Sequence, residues 1–234
     1  MLALFAFLLS TAQARPVGPE LDEGVADAAM PAPDTAVPAA QRCSDQYLRN
    51  GVQLPERAGL FTISNPSSVW GTRLMVETIL KAGEEMAWQL PDADPFVVGD
   101  ISSQHGGYFD GHRSHRGGVD ADLGIYAKGG KQSPRGFQDL SPTELDAHAT
   151  WIFIRTLLET GNVERIYLDQ SLINTLRKHV RDVEGLSADE VDRIFPPPGT
   201  PRTWAMSGIV QHVPGHRNHI HVRVFCDSGA PAGD

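Results

Sequence analysis

Histidine is concentrated in two short blocks, and this clustering limits the fold more than any other feature of the sequence. Six of the nine histidines in this 234-residue chain fall within residues 105–115 and 216–221. Both blocks also contain glycine or asparagine, residues that favour loops shaped around a site. The clustering predicts one functional site, on a fold that brings the two distant blocks together.

The second block presents its histidines through strand periodicity. His219 and His221 are separated by one residue, and the alternation continues to Phe225. In a strand over His219–Phe225, residues two apart lie on the same face. We therefore expect both imidazoles to point into one cleft.

The first block combines a loop with a strand. Asp120 and Asp122 alternate with apolar residues and share a face, whereas His115 precedes them in a glycine-broken loop, in an H-x6-D relation to Asp122. Two histidine nitrogens and one carboxylate oxygen, drawn from a loop and two strands, suit zinc and leave a fourth position for water. An open position of this kind indicates catalysis.

Other arrangements are less consistent with the sequence. No His-Glu-x-x-His occurs, which excludes the usual helical zinc peptidase. An isolated H-x-H is more often structural, but here it occurs together with His112 and His216. Asp120, as the strand neighbour of a ligand, is placed to orient a histidine. The remaining histidines His148, His179 and His212 are expected to be ordinary surface or core residues.

The secondary structure expected from periodicity and capping alternates between strands and helices. We predict strands over 60–64, 96–102, 163–168 and around Asp120, and helices over 71–90, from Ser141 to Thr160, over 170–183 and after Ser187. Strands at the ends with helices between them favour an α+β fold over a doubly wound sheet.

The chain ends differ from the middle in composition. Residues 1–14 resemble a signal peptide, with an apolar run too short to cross a bilayer of about 30 Å. Residues 15–41 form a Pro/Ala-rich linker, residues 42–226 the domain, and residues 227–234 a flexible tail. No other segment suggests a transmembrane span. Because of the predicted signal peptide, we expect a periplasmic or secreted protein.

Two cysteines, Cys43 and Cys226, lie at the two ends of the predicted domain. In an exported protein they are expected to form one disulfide that joins the termini. Two cysteines cannot form a four-sulfur zinc site. The net charge of −9 also argues against nucleic-acid binding, because an acidic chain repels phosphate backbones.

Both blocks resemble one family. The patterns are Gly106-Gly107-Tyr108-Phe109-x-Gly-His112-x-Ser-His115-x-x-Gly118-x-Asp120-x-Asp122 and His216-Arg217-x-His219-x-His221-Val222-Arg223. They are similar to the penicillin-insensitive murein endopeptidases, relatives of lysostaphin-type and D-alanyl-D-alanine metallopeptidases. The resemblance covers most of residues 60–226 but is close only in these blocks. It implies a central, mainly antiparallel sheet with flanking helices and a zinc site on the sheet.

The resemblance also implies roles for individual residues. The ligands of one zinc ion per chain would be His115, Asp122 and His221, and His112 would stand just outside them. His219 and His216 would line the reacting side. The related dipeptidases use a glutamate where this chain has Asn218, so a histidine must replace it. Whether His219 or His216 is the general base stays open.

The implied activity is hydrolysis of peptide cross-links in peptidoglycan, D-Ala–mDAP or mDAP–mDAP, by a zinc-activated water. One alternative is a zinc D,D-carboxypeptidase or dipeptidase acting on terminal D-Ala. Another is a non-catalytic, zinc-stabilised wall-binding module. The oligomeric state is not predicted.

Four arginines are interleaved with the site histidines, namely Arg113, Arg116, Arg217 and Arg223. The cross-link carries free carboxylates, and the forked guanidinium group suits carboxylates. Arg217 and Arg223 are the favoured candidates for substrate contact.

Overall fold

The computed structural model of the protein describes residues 46–112, 114–133, 136–197 and 208–226. The predicted signal peptide, the linker, the tail and Cys43 lie outside this part, so the disulfide with Cys226 stays a prediction. Within the described residues the strands are β1 (Val52–Gln53), β2 (Phe61–Ile63), β3 (Trp70–Gly71), β4 (Phe96–Val98), β5 (Asp120–Gly124), β6 (Val163–Leu168), β7 (Val210–His212) and β8 (His219–Val224). The helices are α1 (Arg73–Gln89), α2 (Ala147–Glu159), α3 (Gln170–Asp182) and α4 (Ala188–Ile194).

Six strands form the main sheet, in the order β2-β4-β5-β8-β6-β7. The three inner pairings, β4–β5, β5–β8 and β8–β6, are antiparallel, while the outer pairings β2–β4 and β6–β7 are parallel. The sheet is therefore mixed, and its centre is antiparallel. The α+β prediction is confirmed, with helices flanking the sheet.

Alternation on β8 divides its residues between core and site. Ile220, Val222 and Val224 are almost completely buried in the hydrophobic core. The intervening residues His219, His221 and Arg223 therefore lie on the opposite face. This division is the reason that the central strands can carry both the core and a polar site.

Helix α1 shows why the predicted helical pattern forms. Its residues Met75, Ile79 and Met86 recur at helical spacing and are buried. Thr72 begins the helix, because its side-chain oxygen accepts a hydrogen bond from the Met75 N–H at 3.2 Å. Helix α1 packs on α2, which in turn packs on α3.

The predicted start of α2 was wrong. The sequence places it at Ser141, yet the helix begins at Ala147. Glu144 does bond back to the Ser141 N–H at 2.8 Å, as in a capping box. The chain then leaves the helical conformation, because buried Leu145 forms a β-bridge with Ala127. Asp146 caps the real helix by accepting from the Ala149 N–H at 3.0 Å.

The last helices agree closely with the prediction. Helix α3 begins after its cap Asp169, and α4 has the predicted capping box between Ser187 and Glu190. The short strands β1, β3 and β7 were not predicted from the sequence. None of the four helices in the described part of the chain has the length and hydrophobicity that a membrane span requires.

Candidate metal centre

The antiparallel ladder between β5 and β8 brings the two blocks together. In its register Asp122 is opposite His221, and Asp120 is opposite Arg223. The side chains of Asp120, Asp122 and His221 are buried, with 1%, 3% and 6% of each residue exposed. Buried ionisable groups are unusual unless they are paired or bind a metal.

His115 reaches the ladder from the glycine-rich loop before β5. Gly106 in this loop has φ +67°, and a β-carbon there would overlap the backbone of Arg116 and Leu48. Only glycine fits this close approach. The loop buries His115 completely, and the His115 Nδ1 lies 3.1 Å from the carbonyl oxygen of Ile101.

Asp122 lies within contact distance of both other predicted ligands, His115 and His221. Asp122 Oδ1 lies 3.2 Å from His115 Nε2 and 3.0 Å from His221 Nδ1. His115 Nε2 and Asp122 Oδ1 are both buried, and neither has a hydrogen bond within the described residues. We call His115, Asp122 and His221 the sheet group.

Hydrogen bonds at the far side of each imidazole fix which nitrogen holds a proton. A carbonyl oxygen only accepts, so His115 Nδ1 donates to Ile101 and its Nε2 presents a lone pair to Asp122. In the same way His221 Nε2 donates to Asp120 Oδ1 at 3.1 Å. When both rings are neutral, the lone pairs of His115 Nε2 and His221 Nδ1 face Asp122 Oδ1, an arrangement that fits a bound cation.

Electrostatics favour positive charge at this point. Burial alone would lower the pKa of His221, but its hydrogen bond to Asp120 and its close contact with the Asp122 carboxylate raise that pKa to about 9. Burial would raise the pKa of Asp122, yet its contacts with His115 and His221 hold that pKa well below its usual range. In the absence of metal, a proton on His221 thus supplies the positive charge that the carboxylates attract.

Asp120 and Arg223 support His221 from behind. The Arg223 guanidinium donates to both oxygens of Asp120, at 3.0 and 3.3 Å, and lies 3.5 Å from Glu164. A carboxylate that orients a histidine ligand is a recurrent feature of metal sites. Contact of Arg223 with substrate stays a prediction.

His219 and His216 lie on the outer side of the sheet group. His219 Nε2 is 3.4 Å from Asp122 Oδ1, and the ring stacks on Phe137 at 5.2 Å between centroids. Burial lowers the pKa of His219 to about 4. Burial and the nearby His221 also lower the pKa of His216, whose ring lies 4.7 Å from that of His219. Both imidazoles are therefore largely neutral at pH 7.

The structure also places the other predicted site residues. His112 lies beside the sheet group, with Nδ1 3.9 Å from Asp122 Oδ2 and Nε2 3.5 Å from Asp100. Arg217 donates to the carbonyl oxygen of Leu140. Arg116 lies over the ring of Tyr108, and Arg113 is outside the described residues.

Sequence reasoning missed several neighbours of the site. Phe137 stacks on His219, Asp100 faces His112, and the ring of Tyr167 lies 5.3 Å from that of His221. Tyr167 had a usable signal, because it sits in a predicted strand, but its pairing with His221 was not predictable without the strand order. Asp100 and Phe137 had no such pattern.

The fold and the site together define a class. Two adjoining groups of side chains, His112–His115–Asp122 and His216–His219–His221, have ligand atoms close enough to hold a metal ion. These groups lie on or beside the central strands of an α+β fold, where they could bind a metal ion. The family model described as penicillin-insensitive murein endopeptidase matches residues 43–233. The chain belongs to this family, and hence to the hydrolases that act on peptidoglycan. A comparison with curated proteins found no significant match.

Proposed function

We propose that the protein is a zinc-dependent endopeptidase that hydrolyses peptide cross-links of peptidoglycan, D-Ala–mDAP or mDAP–mDAP, in the periplasm or outside the cell. Two findings together carry this proposal. His115 Nε2 and His221 Nδ1 lie 3.2 and 3.0 Å from Asp122 Oδ1, and the chain belongs to the murein endopeptidase family. His115 Nε2 and Asp122 Oδ1, which are buried and have no hydrogen bond among the described residues, fit a bound cation.

The metal would be held by His115, Asp122 and His221. Two imidazole nitrogens and one carboxylate oxygen are donors that zinc prefers, and three protein ligands are typical of catalytic zinc. When bound, such an ion provides a nucleophile at neutral pH by lowering the pKa of water, and it polarises a carbonyl group.

Proton transfer would fall to His219 and His216. The amide oxygen of Asn218 lies 2.6 Å from His219 Nδ1, and the Pro214 carbonyl lies 3.3 Å from His216 Nδ1. Both oxygens accept, so each ring keeps a lone pair on Nε2. A neutral imidazole of this kind can take the proton of the attacking water and return it to the leaving amine.

Two further properties follow from this mechanism, one about inhibitors and one about substrate binding. No serine nucleophile takes part in this mechanism, so β-lactams would have nothing to acylate. Arg217, fixed against Leu140 next to the histidines, is a candidate for binding a free carboxylate of the cross-link. If Arg217→Ala leaves the affinity for cross-linked peptide unchanged, this role is wrong.

Digestion of purified dimeric muropeptides, followed by mass spectrometry, tests the proposal. We expect monomers without release of free alanine, loss of cleavage with a chelator, and recovery when Zn²⁺ is returned. Release of alanine would instead identify a carboxypeptidase. Metal binding without any cleavage would identify a wall-binding module.

A further inference from the structure

A second set of histidine and carboxylate side chains lies between two helices, away from the β5–β8 ladder. His148 is in the first turn of α2, His179 is in the last turn of α3, and Glu184 is in the loop that follows α3. Glu184 Oε1 lies 3.1 Å from His148 Nδ1 and 3.0 Å from His179 Nε2. We call these three residues the helix group.

The spacing of these atoms is close to that of a metal site. Zinc bonds of about 2.0–2.1 Å at a tetrahedral angle place neighbouring donor atoms about 3.3 Å apart. The donor atoms of the helix group all lie within 4.8 Å of one another. Small rotations of the two imidazole rings would therefore allow all three atoms to bind one ion.

The charge of the helix group is suitable for a cation. Burial would raise the pKa of Glu184, but hydrogen bonds from His148 and His179 lower it, so Glu184 is an anion at neutral pH. The basic residues beside His179 on α3 are paired with aspartates instead: Arg177 with Asp192 at 2.7 Å, and Lys178 and Arg181 with Asp182 at 2.6 and 2.7 Å. The C-terminal end of α3 also favours positive charge beside His179.

Exposure leaves room for additional ligands. The side chain of His148 is 56% exposed, while those of His179 and Glu184 are 14% and 21% exposed. Water can therefore complete the coordination of an ion that three protein atoms hold. Because the ligands come from α2, α3 and the following loop, such an ion would connect the start of one helix with the end of another.

We propose that His148, His179 and Glu184 form a second binding site for a divalent cation of the zinc type, which fastens α2 to the end of α3. This site shares no residue with the sheet group. Its role is structural, since the ion would bind folded protein and stabilise it.

Metal stoichiometry tests this proposal. Full-length protein is dialysed against Zn²⁺ in a weak chelator buffer, and bound zinc is counted. We expect His179→Gln and Glu184→Gln to bind one ion fewer than the unchanged protein, with affinity at the helix group reduced by more than about 100-fold. His105→Gln, which alters an exposed histidine outside both groups, is the matched control and should bind as many ions as the unchanged protein.

Thermal unfolding provides a second measurement. In an Asp122→Asn background, Zn²⁺ should raise the Tm, and His148→Gln should abolish this shift without changing the metal-free Tm. Equal zinc content in the unchanged protein, His179→Gln and Glu184→Gln would overturn the proposal. If the sheet group does not bind zinc, the unchanged protein holds one ion and His179→Gln holds none. Failure of the proposed function can therefore be distinguished from failure of this proposal.

Discussion

The sheet group and the helix group have the same donors, two imidazoles and one carboxylate, but very different surroundings. In the sheet group the side chains of His115, Asp122 and His221 are 0%, 4% and 7% exposed. In the helix group the side chain of His148 is 56% exposed. Donor identity alone therefore does not separate the proposed catalytic site from the proposed structural one, and the two groups differ instead in burial and in neighbouring residues.

Burial matters because electrostatic interactions strengthen where water is excluded. Of the two groups, only the sheet group has buried atoms without hydrogen bonds among the described residues, and three further histidines, His112, His216 and His219, lie beside it. The helix group lies at a solvent-facing contact between helices. We therefore expect changes at the sheet group to abolish activity and changes at the helix group to affect stability.

The largest effect is expected for Asp122→Asn. This substitution keeps the shape of the side chain but removes the negative charge that lies within 3.9 Å of four imidazoles, those of His112, His115, His219 and His221. Cleavage of dimeric muropeptides should fall by about 10⁴-fold or more, because a bound metal lowers the activation barrier by several kcal/mol. The matched control in the helix group, Glu184→Gln, should retain cleavage. Normal turnover by Asp122→Asn would remove the basis for the comparison.

The next largest effect is expected for His219→Ala, and comparison with His221→Ala separates a proposed proton-transfer residue from a proposed ligand. His219→Ala should lower kcat by about 10²–10⁴-fold while zinc content is unchanged, because general acid–base catalysis contributes that much. His221→Ala should lose the zinc ion of the sheet group and all activity. The measurements are steady-state kinetics and zinc content on the same preparations. Equal loss of zinc in both variants would make His219 a ligand instead.

The arrangement of the histidines and aspartates on the central strands was predictable from the sequence, because the alternation of side chains along a strand is a local property. His219 and His221 share a face as expected, and the H-x6-D pair meets through the loop before β5. The strand order was not predictable, since it depends on packing between distant segments. Tyr167 and Phe137 were missed for that reason.

The helix group shows the opposite outcome. His148 and His179 are 31 positions apart on two helices, and each alone has the appearance of a surface histidine. Their meeting depends on how α2 packs against α3 and on where α2 begins. The sequence placed that start at Ser141, because the capping-box pattern there is genuine, while tertiary pairing of Leu145 decides the actual boundary.

The metal affinity of the sheet group should depend on pH. In metal-free protein His221 has a pKa of about 9, so at pH 7 the metal must displace its proton. Apparent affinity should rise by about tenfold per pH unit from pH 7 towards 9 and then level off. Competition against a chelator of known pH dependence measures this. Constant affinity between pH 7 and 9 would contradict the proposed role of His221.

Asp120→Asn tests how much support the ligand histidine needs. Losing the carboxylate that holds His221 Nε2 should weaken zinc binding by about 10–100-fold, the usual range for a group behind a ligand. Glu164→Gln is the matched control, because among the described residues the Glu164 carboxylate pairs with Arg223 Nε, at 3.5 Å. A larger loss in Glu164→Gln than in Asp120→Asn would show that Arg223, not Asp120, positions His221.

The smallest effect is expected for Asp146, the residue that caps α2 next to the helix group. Asp146 caps α2 beside His148 and accepts a second hydrogen bond from the Gly130 N–H at 3.0 Å. Asp146→Ala should lower the free energy of unfolding by about 1 kcal/mol, while Asp146→Asn, which also caps well, should change it less. Denaturant unfolding measures both variants, and muropeptide cleavage should be unchanged in each. Loss of cleavage in folded Asp146→Ala would mean that the two groups are coupled, so that the helix group serves catalysis as well as stability.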